Sequence, residues 1–98
     1  MTTLSPAEIT QNLGSLPEWV AENGTLTRVW AAPSFSHAVL LFNALAQLAE
    51  AAGHHPDFRL FNYNRLEVRL TTHSAGGLTA KDFDLARQMD ALPLRVAK

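Results

Sequence analysis

Ninety-eight residues, 47% of them hydrophobic and 17% charged, make one packed domain with no length left for a second core. A chain of this size buries roughly 60 to 65% of its unfolded surface, which leaves a modest stability that oligomerisation would raise. Eight Lys and Arg against nine Asp and Glu give a net charge of -1 and no basic field for a phosphate backbone, and the absence of cysteine removes disulfides, thiolate catalysis and Cys-ligated metal sites together.

The start, Met1-Thr2-Thr3-Leu4-Ser5, has no basic segment followed by an apolar run, so it does not read as a signal peptide, and a cytoplasmic chain is the expectation. Ser5-Pro6-Ala7-Glu8 sets out an N-cap serine, a proline at the first helical position and a glutamate three residues past the cap. A short helix follows, stapled by Leu4 and Ile9 and stopped by Gly14 in the left-handed conformation. Trp19-Val20-Ala21-Glu22, Asn23-Gly24 and Thr25 to Ala31 spell strand, type I′ turn, strand. Leu26 and Trp30 point to one face and Val29 to the other, so the pattern alone leaves the buried face open.

After Pro33, Ser34 caps a long helix in which Phe35, Val39, Phe42, Ala46 and Ala49 form one apolar stripe beside Ala38, Leu41, Leu45, Leu48 and Ala52. One stripe covers a sheet; the other meets a neighbouring helix or a second subunit. Asn43, Gln47 and Glu50 interrupt the run, which is too short to cross a bilayer. Gly53 ends the helix and delivers His54 and His55 immediately past it. Phe58 to Tyr63 and Arg65 to Thr72 form a second hairpin, the latter strand alternating Leu66, Val68, Leu70 against Glu67, Arg69, Thr71 and offering an edge for pairing across an interface. Ser74 to Gly77 is a loop. Thr79 caps the last helix, with Asp82 at its third position and Leu78 and Phe83 as a staple, and Pro93 ends it near Leu92. The order α-β-β-α-β-β-α over a single domain, 1–98, predicts an α+β fold: a four-stranded antiparallel sheet with three helices packed on one face.

Histidine exchanges protons near neutrality, and three of the four histidines lie outside helix interiors. His54 and His55 follow the long helix and His73 ends the last strand, so loops at one edge of the sheet can bring them together as an acid/base pocket. The partial negative charge of a helix C-terminus favours an imidazolium there, which suits a general acid. The plainer reading makes the His-His pair exposed capping donors. A metal held by His54, His55, Asp57 and His73 is a weaker alternative, because neighbouring histidines project in different directions. His37 reads as a surface residue, and Asp82 has a structural reading as the return arm of a capping box to Thr79.

The stretch Ala49-Glu50-Ala51-Ala52-Gly53-His54-His55-Pro56-Asp57, followed by Tyr63-Asn64, Thr72-His73, Gly76-Gly77-Leu78 and Asp82, resembles the pterin-4a-carbinolamine dehydratase family over nearly the whole chain. The resemblance implies dehydration of 4a-hydroxytetrahydropterin to quinonoid dihydropterin, which recycles the cofactor of aromatic amino acid hydroxylases, with no metal or organic cofactor. It implies a pterin pocket formed by His54, His55 and His73 with Thr72, supported by Glu50 and Asp82. On this basis His54 and His73 are the acid/base groups, with His55 mainly binding the pterin. Two departures stand out. Ala51 occupies a place where many relatives have Lys, and one residue more than in animal members lies between Pro56 and Tyr63, which predicts a bulge or a longer approach to the strand. The resemblance further implies a homodimer or homotetramer with a small-molecule pterin as partner and no direct nucleic-acid or membrane binding. The competing role is non-catalytic: animal members also serve as dimerisation cofactors of a homeodomain transcription factor, and a related group of Rubisco assembly factors keeps the fold without the histidine motif.

Overall fold

The structure, a computed structural model, describes residues 2–93. Helix α1 (Pro6–Leu13) starts as its sequence dictates: the Ser5 hydroxyl accepts from the Glu8 N–H at 3.2 Å, and the Glu8 carboxylate accepts from the Ser5 N–H at 2.8 Å. Its end departs from expectation. Gly14 is right-handed at φ -57°, because the chain leaves through tight turns, Gly14 N–H to Gln11 O and Leu16 N–H to Leu13 O, that need no left-handed residue.

Strands β1 (Val20–Glu22) and β2 (Thr25–Ala31) form the first hairpin. Asn23 and Gly24 close it at φ 53° and 74°, both positive as a type I′ turn demands. The buried face is that of Leu26 and Trp30, with Val29 outward. Helix α2 (Phe35–Ala52) then crosses to β3 (Asp57–Phe61), which turns back into β4 (Arg65–Leu70); a 3₁₀ turn at His73–Ala75 leads to α3 (Ala80–Asp90). The α+β order α-β-β-α-β-β-α is therefore present, with an antiparallel sheet ordered β1-β2-β4-β3.

That order corrects the expected edge. β4 is bonded to β2 on one side and β3 on the other, so residues 65–70 have no free edge, and the edges are β1 and β3. The cause is the crossover: β2 and β3 both run antiparallel to β4, and the returning strand fills the gap between them. Of the bulge or longer strand approach expected between Pro56 and Tyr63, the bulge is not present in β3. Pairing of β3 with β4 runs unbroken from Asp57↔Arg69 to Phe61↔Arg65. The turn between the strands has Asn62 and Tyr63 at φ 49° and 54°, while Asn64 is tied to Ala32 by backbone and side-chain bonds of 2.8 and 2.9 Å.

Leu66, Val68 and Leu70 occupy the centre of the core face and are fully buried. Against them lie Leu41, Leu45 and Ala49 of α2 and Phe83, Ala86 and Met89 of α3, joined in one cluster with Trp19 and Trp30, whose rings meet edge to face at 5.6 Å. The second stripe of α2 is only half-buried at Val39 and Phe42, and Phe35 is exposed. Arg28 interrupts the apolar face of β2. Its guanidinium lies 4.3 Å from the Trp30 ring and bonds Asp90 Oδ1 at 2.6 Å, while the Trp19 indole N–H donates to the same oxygen at 2.9 Å. This cluster clamps the far end of α3 to the sheet. No described helix is long and apolar enough to cross a membrane.

Two outcomes follow from this packing. Asp90→Ala strands a half-buried guanidinium and an indole N–H, and should lower unfolding stability by about 2 kcal/mol, seen as a reduced urea midpoint at unchanged slope. The Glu8 carboxyl lies below its usual range because first the Ser5 N–H and then the Ser5 hydroxyl bond its charged form. A carboxyl held low stabilises fully above its unfolded titration range and loses that contribution as pH falls through the folded value. Acidification should therefore shift the Cα resonances of residues 6–13 toward coil values, and Glu8→Gln should flatten that response.

Candidate active site

The C-terminal end of α2 decides where the first two histidines go. Gly53 adopts φ 63°, its N–H bonds Glu50 O and the His54 N–H bonds Ala49 O, both at 3.1 Å, which is a Schellman ending. The backbone of His54 is thereby folded back beneath the helix, and its ring is buried, whereas His55 follows one residue later on the outside. The side chains are 10% and 69% exposed, so adjacent residues have opposite environments.

His54 Nε2 lies 2.6 Å from Oδ1 of Asp82, which is wholly buried in the first turn of α3. The other carboxylate oxygen of Asp82, Oδ2, accepts from the Thr79 N–H at 2.9 Å and from the Thr72 hydroxyl at 2.8 Å. Thr79 and Thr72 also share a hydroxyl–hydroxyl bond of 2.8 Å. Asp82 thus performs the helix-capping task expected of it and binds a histidine as well, one oxygen serving both threonines and the other His54. A bare carboxylate without water is costly, and these three donors are what make its burial tolerable.

Beside this pair lies an open cleft of about 260 Å³ lined by Gly53, His54, His55, Thr71, Thr72, His73, Ser74 and Lys81. Its size is at the lower end for small-molecule sites, fitting a compact ring system rather than a dinucleotide. His73 reaches the cleft on the exposed 3₁₀ turn, which the Thr72↔Gly77 bridge and the left-handed Gly76 hold against the end of β4. The three predicted imidazoles are therefore brought together. Glu50 is set apart from the buried network: its Oε1 lies 2.8 Å from His55 Nε2, and both side chains are largely exposed. Thr72 lines the cleft, but its hydroxyl is engaged by Asp82 and Thr79.

Sequence reasoning found the Thr79–Asp82 capping bond but missed the bond between the Thr79 and Thr72 hydroxyls, and Thr71, Ser74 and Lys81 as cleft residues. The available signal was the capping box itself, since a helix start carrying Asp82 into the site also carries Lys81 to its rim. Among the described residues no three His, Asp or Glu side chains come together as a metal site, and Asp57 is not in the cleft lining. Asp82→Ala removes the acceptor for three buried donors and should cost about 4 kcal/mol in urea unfolding. Lys81→Ala, exposed on the same turn, should stay within about 0.5 kcal/mol.

Residues 2–92 match the family model described as Pterin 4 alpha carbinolamine dehydratase. A relative from Chloroflexus aurantiacus is 47% identical over 92 residues, 94% of this chain and 98% of its own length; one from Acidobacterium capsulatum is 45% identical over 94% and 99%. Both carry the provisional name pterin-4-alpha-carbinolamine dehydratase. Among solved structures, a transcriptional coactivator/pterin dehydratase from Brucella melitensis superposes with TM-score 0.85 at 34% identity, covering 92% of this chain and 97% of that one. A pterin dehydratase-like protein identified as a RuBisCO assembly factor in the alpha-carboxysome superposes at 0.61 with 23% identity, over 76% and 84%, and shares the fold. With the histidine cleft and the match over residues 2–92 together, the chain belongs to the pterin-4a-carbinolamine dehydratase family.

Proposed function

We propose that the chain dehydrates 4a-hydroxytetrahydropterin to quinonoid dihydropterin and water, with His54 and His73 exchanging protons and His55 chiefly binding the pterin. The observation that carries this reading is one small cleft lined by three imidazoles, one of them anchored to a buried carboxylate. In the reaction the C4a–O bond breaks and the hydroxyl leaves as water after taking a proton. The ring nitrogen beside C4a gives up its proton, and its electrons close the C=N bond. One proton enters and one leaves with no change of oxidation state, so the chemistry asks for a donor and an acceptor that both work near neutrality. Glu50 supports His55 at the rim, and Lys81 adds a cation there.

The competing role is protein interaction alone, as the names of the two fold neighbours bring to mind. A scaffold has no use for a buried carboxylate that holds an imidazole at a cleft, which favours the enzyme. Stopped-flow dehydration of chemically prepared 4a-hydroxytetrahydropterin decides between them. The natural chain should accelerate the reaction, and His73→Ala and His54→Gln should each lower kcat by about 10² to 10⁴ with the far-ultraviolet circular dichroism retained. Absence of acceleration by the natural chain overturns the enzyme reading.

A further inference from the structure

The hydrogen bonds around Asp82 have a direction. A backbone amide can only donate, so Thr79 Oγ1 accepts from the Lys81 N–H at 3.3 Å. A carboxylate can only accept, so the Thr72 hydroxyl donates to Asp82 Oδ2 at 2.8 Å. The remaining bond, 2.8 Å between the two hydroxyls, then has one polarity: Thr79 donates to Thr72. Oδ2 also accepts from the Thr79 N–H, so it faces two donors and has no room for a proton of its own. Oδ1 is left to accept from His54 Nε2 at 2.6 Å.

We infer that Thr72 and Thr79 are positioning residues for His54, forming a one-way chain from the Lys81 amide through both hydroxyls and Asp82 that fixes the neutral imidazole as its Nε2–H form. Which ring nitrogen carries the proton is set by the partner of the other nitrogen. Nδ1 of His54 has no partner among the described residues, in a residue that lines the cleft. The neutral ring therefore presents an acceptor to whatever binds there. Resting on the dehydratase reading, this assigns His54 to receive the ring proton and leaves the hydroxyl's proton to another cleft imidazole. Thr72 acts on His54 at one remove: its hydroxyl is engaged by Asp82 and Thr79.

The test needs no substrate. Long-range nitrogen–proton correlation on the ¹⁵N-labelled natural chain, above the titration range of the ring, should show His54 Nε2 protonated and Nδ1 bare; the opposite assignment overturns the inference without any variant. Thr72→Val removes one of the two donors to Oδ2, so the carboxylate must lean more on His54, and the proton affinity of that ring should rise about three- to tenfold. Thr72→Ser should restore the natural titration. Thr79→Val should move it in the same direction by less, since it acts through Thr72. The other charged or titratable groups around the ring, Asp82, His55, His73, Lys81 and Glu50, are retained in these variants, so an unchanged His54 titration in Thr72→Val overturns the inference. If the chain lacks dehydratase activity yet shows the Nε2–H form, the enzyme reading fails and the relay stands; activity with the Nδ1–H form gives the reverse.

Discussion

A single buried carboxylate organises this small domain. Asp82 is shut off from water, and moving such a group out of solvent is strongly unfavourable unless donors replace the lost hydration. Each of its donors comes from a different piece of structure: Thr72 from the end of β4, the Thr79 N–H from the start of α3, and His54 from the end of α2. Satisfying one side chain thus fixes three chain segments relative to each other. The cleft is the surface those segments leave between them, so its shape depends on the same bonds that hold the fold at that end.

The electrostatics of the two helix ends support the arrangement. Asp82 sits in the first turn of α3, where exposed N–H groups favour negative charge, and His54 follows the last turn of α2, where carbonyls favour positive charge. The bond between them joins the two termini through their complementary ends. The far end of α3 is held separately by Asp90, Arg28 and Trp19. A helix of 11 residues is secured at both ends by a carboxylate reaching a partner on another element. That matters in a small domain, whose core burial leaves only a modest stability.

How much of this was legible in the sequence depended on the range of the signal. Local chemistry was readable: Ser5-Pro6-Ala7-Glu8, Asn23-Gly24, Ser34 and Gly53 each determine their own turn or cap within four residues. Gly14 misled because a glycine after a helix permits a left-handed stop without requiring one. The sheet order was not readable, since alternation in 65–70 marks a half-buried strand but is the same for centre and edge. For the site, His54, His55 and His73 were found through their type and the family pattern. Their unequal burial was not, because it follows from a Schellman ending that turns one residue in and the next out. Asp82 presented two readings, helix cap and support for the pocket; a carboxylate has two oxygens, and the geometry uses Oδ2 for the cap and Oδ1 for His54.

Sharing a fold with an assembly factor at 23% identity shows why fold alone is a poor guide to activity here. A four-stranded antiparallel sheet with three helices rests on core positions such as Leu66, Val68, Leu45 and Phe83, none of which lines the cleft. What core packing does not explain is a carboxylate withdrawn from water, two linked threonine hydroxyls committed to holding it, and an imidazole pinned by one nitrogen while the other has no partner among the described residues. Polar networks of this kind are tolerated in a small domain only when complete, since a partly satisfied one is worse than apolar packing. Asp82 has its full complement of donors among the described residues, and the nitrogen without a partner is on the cleft-lining histidine, where a ligand can complete it.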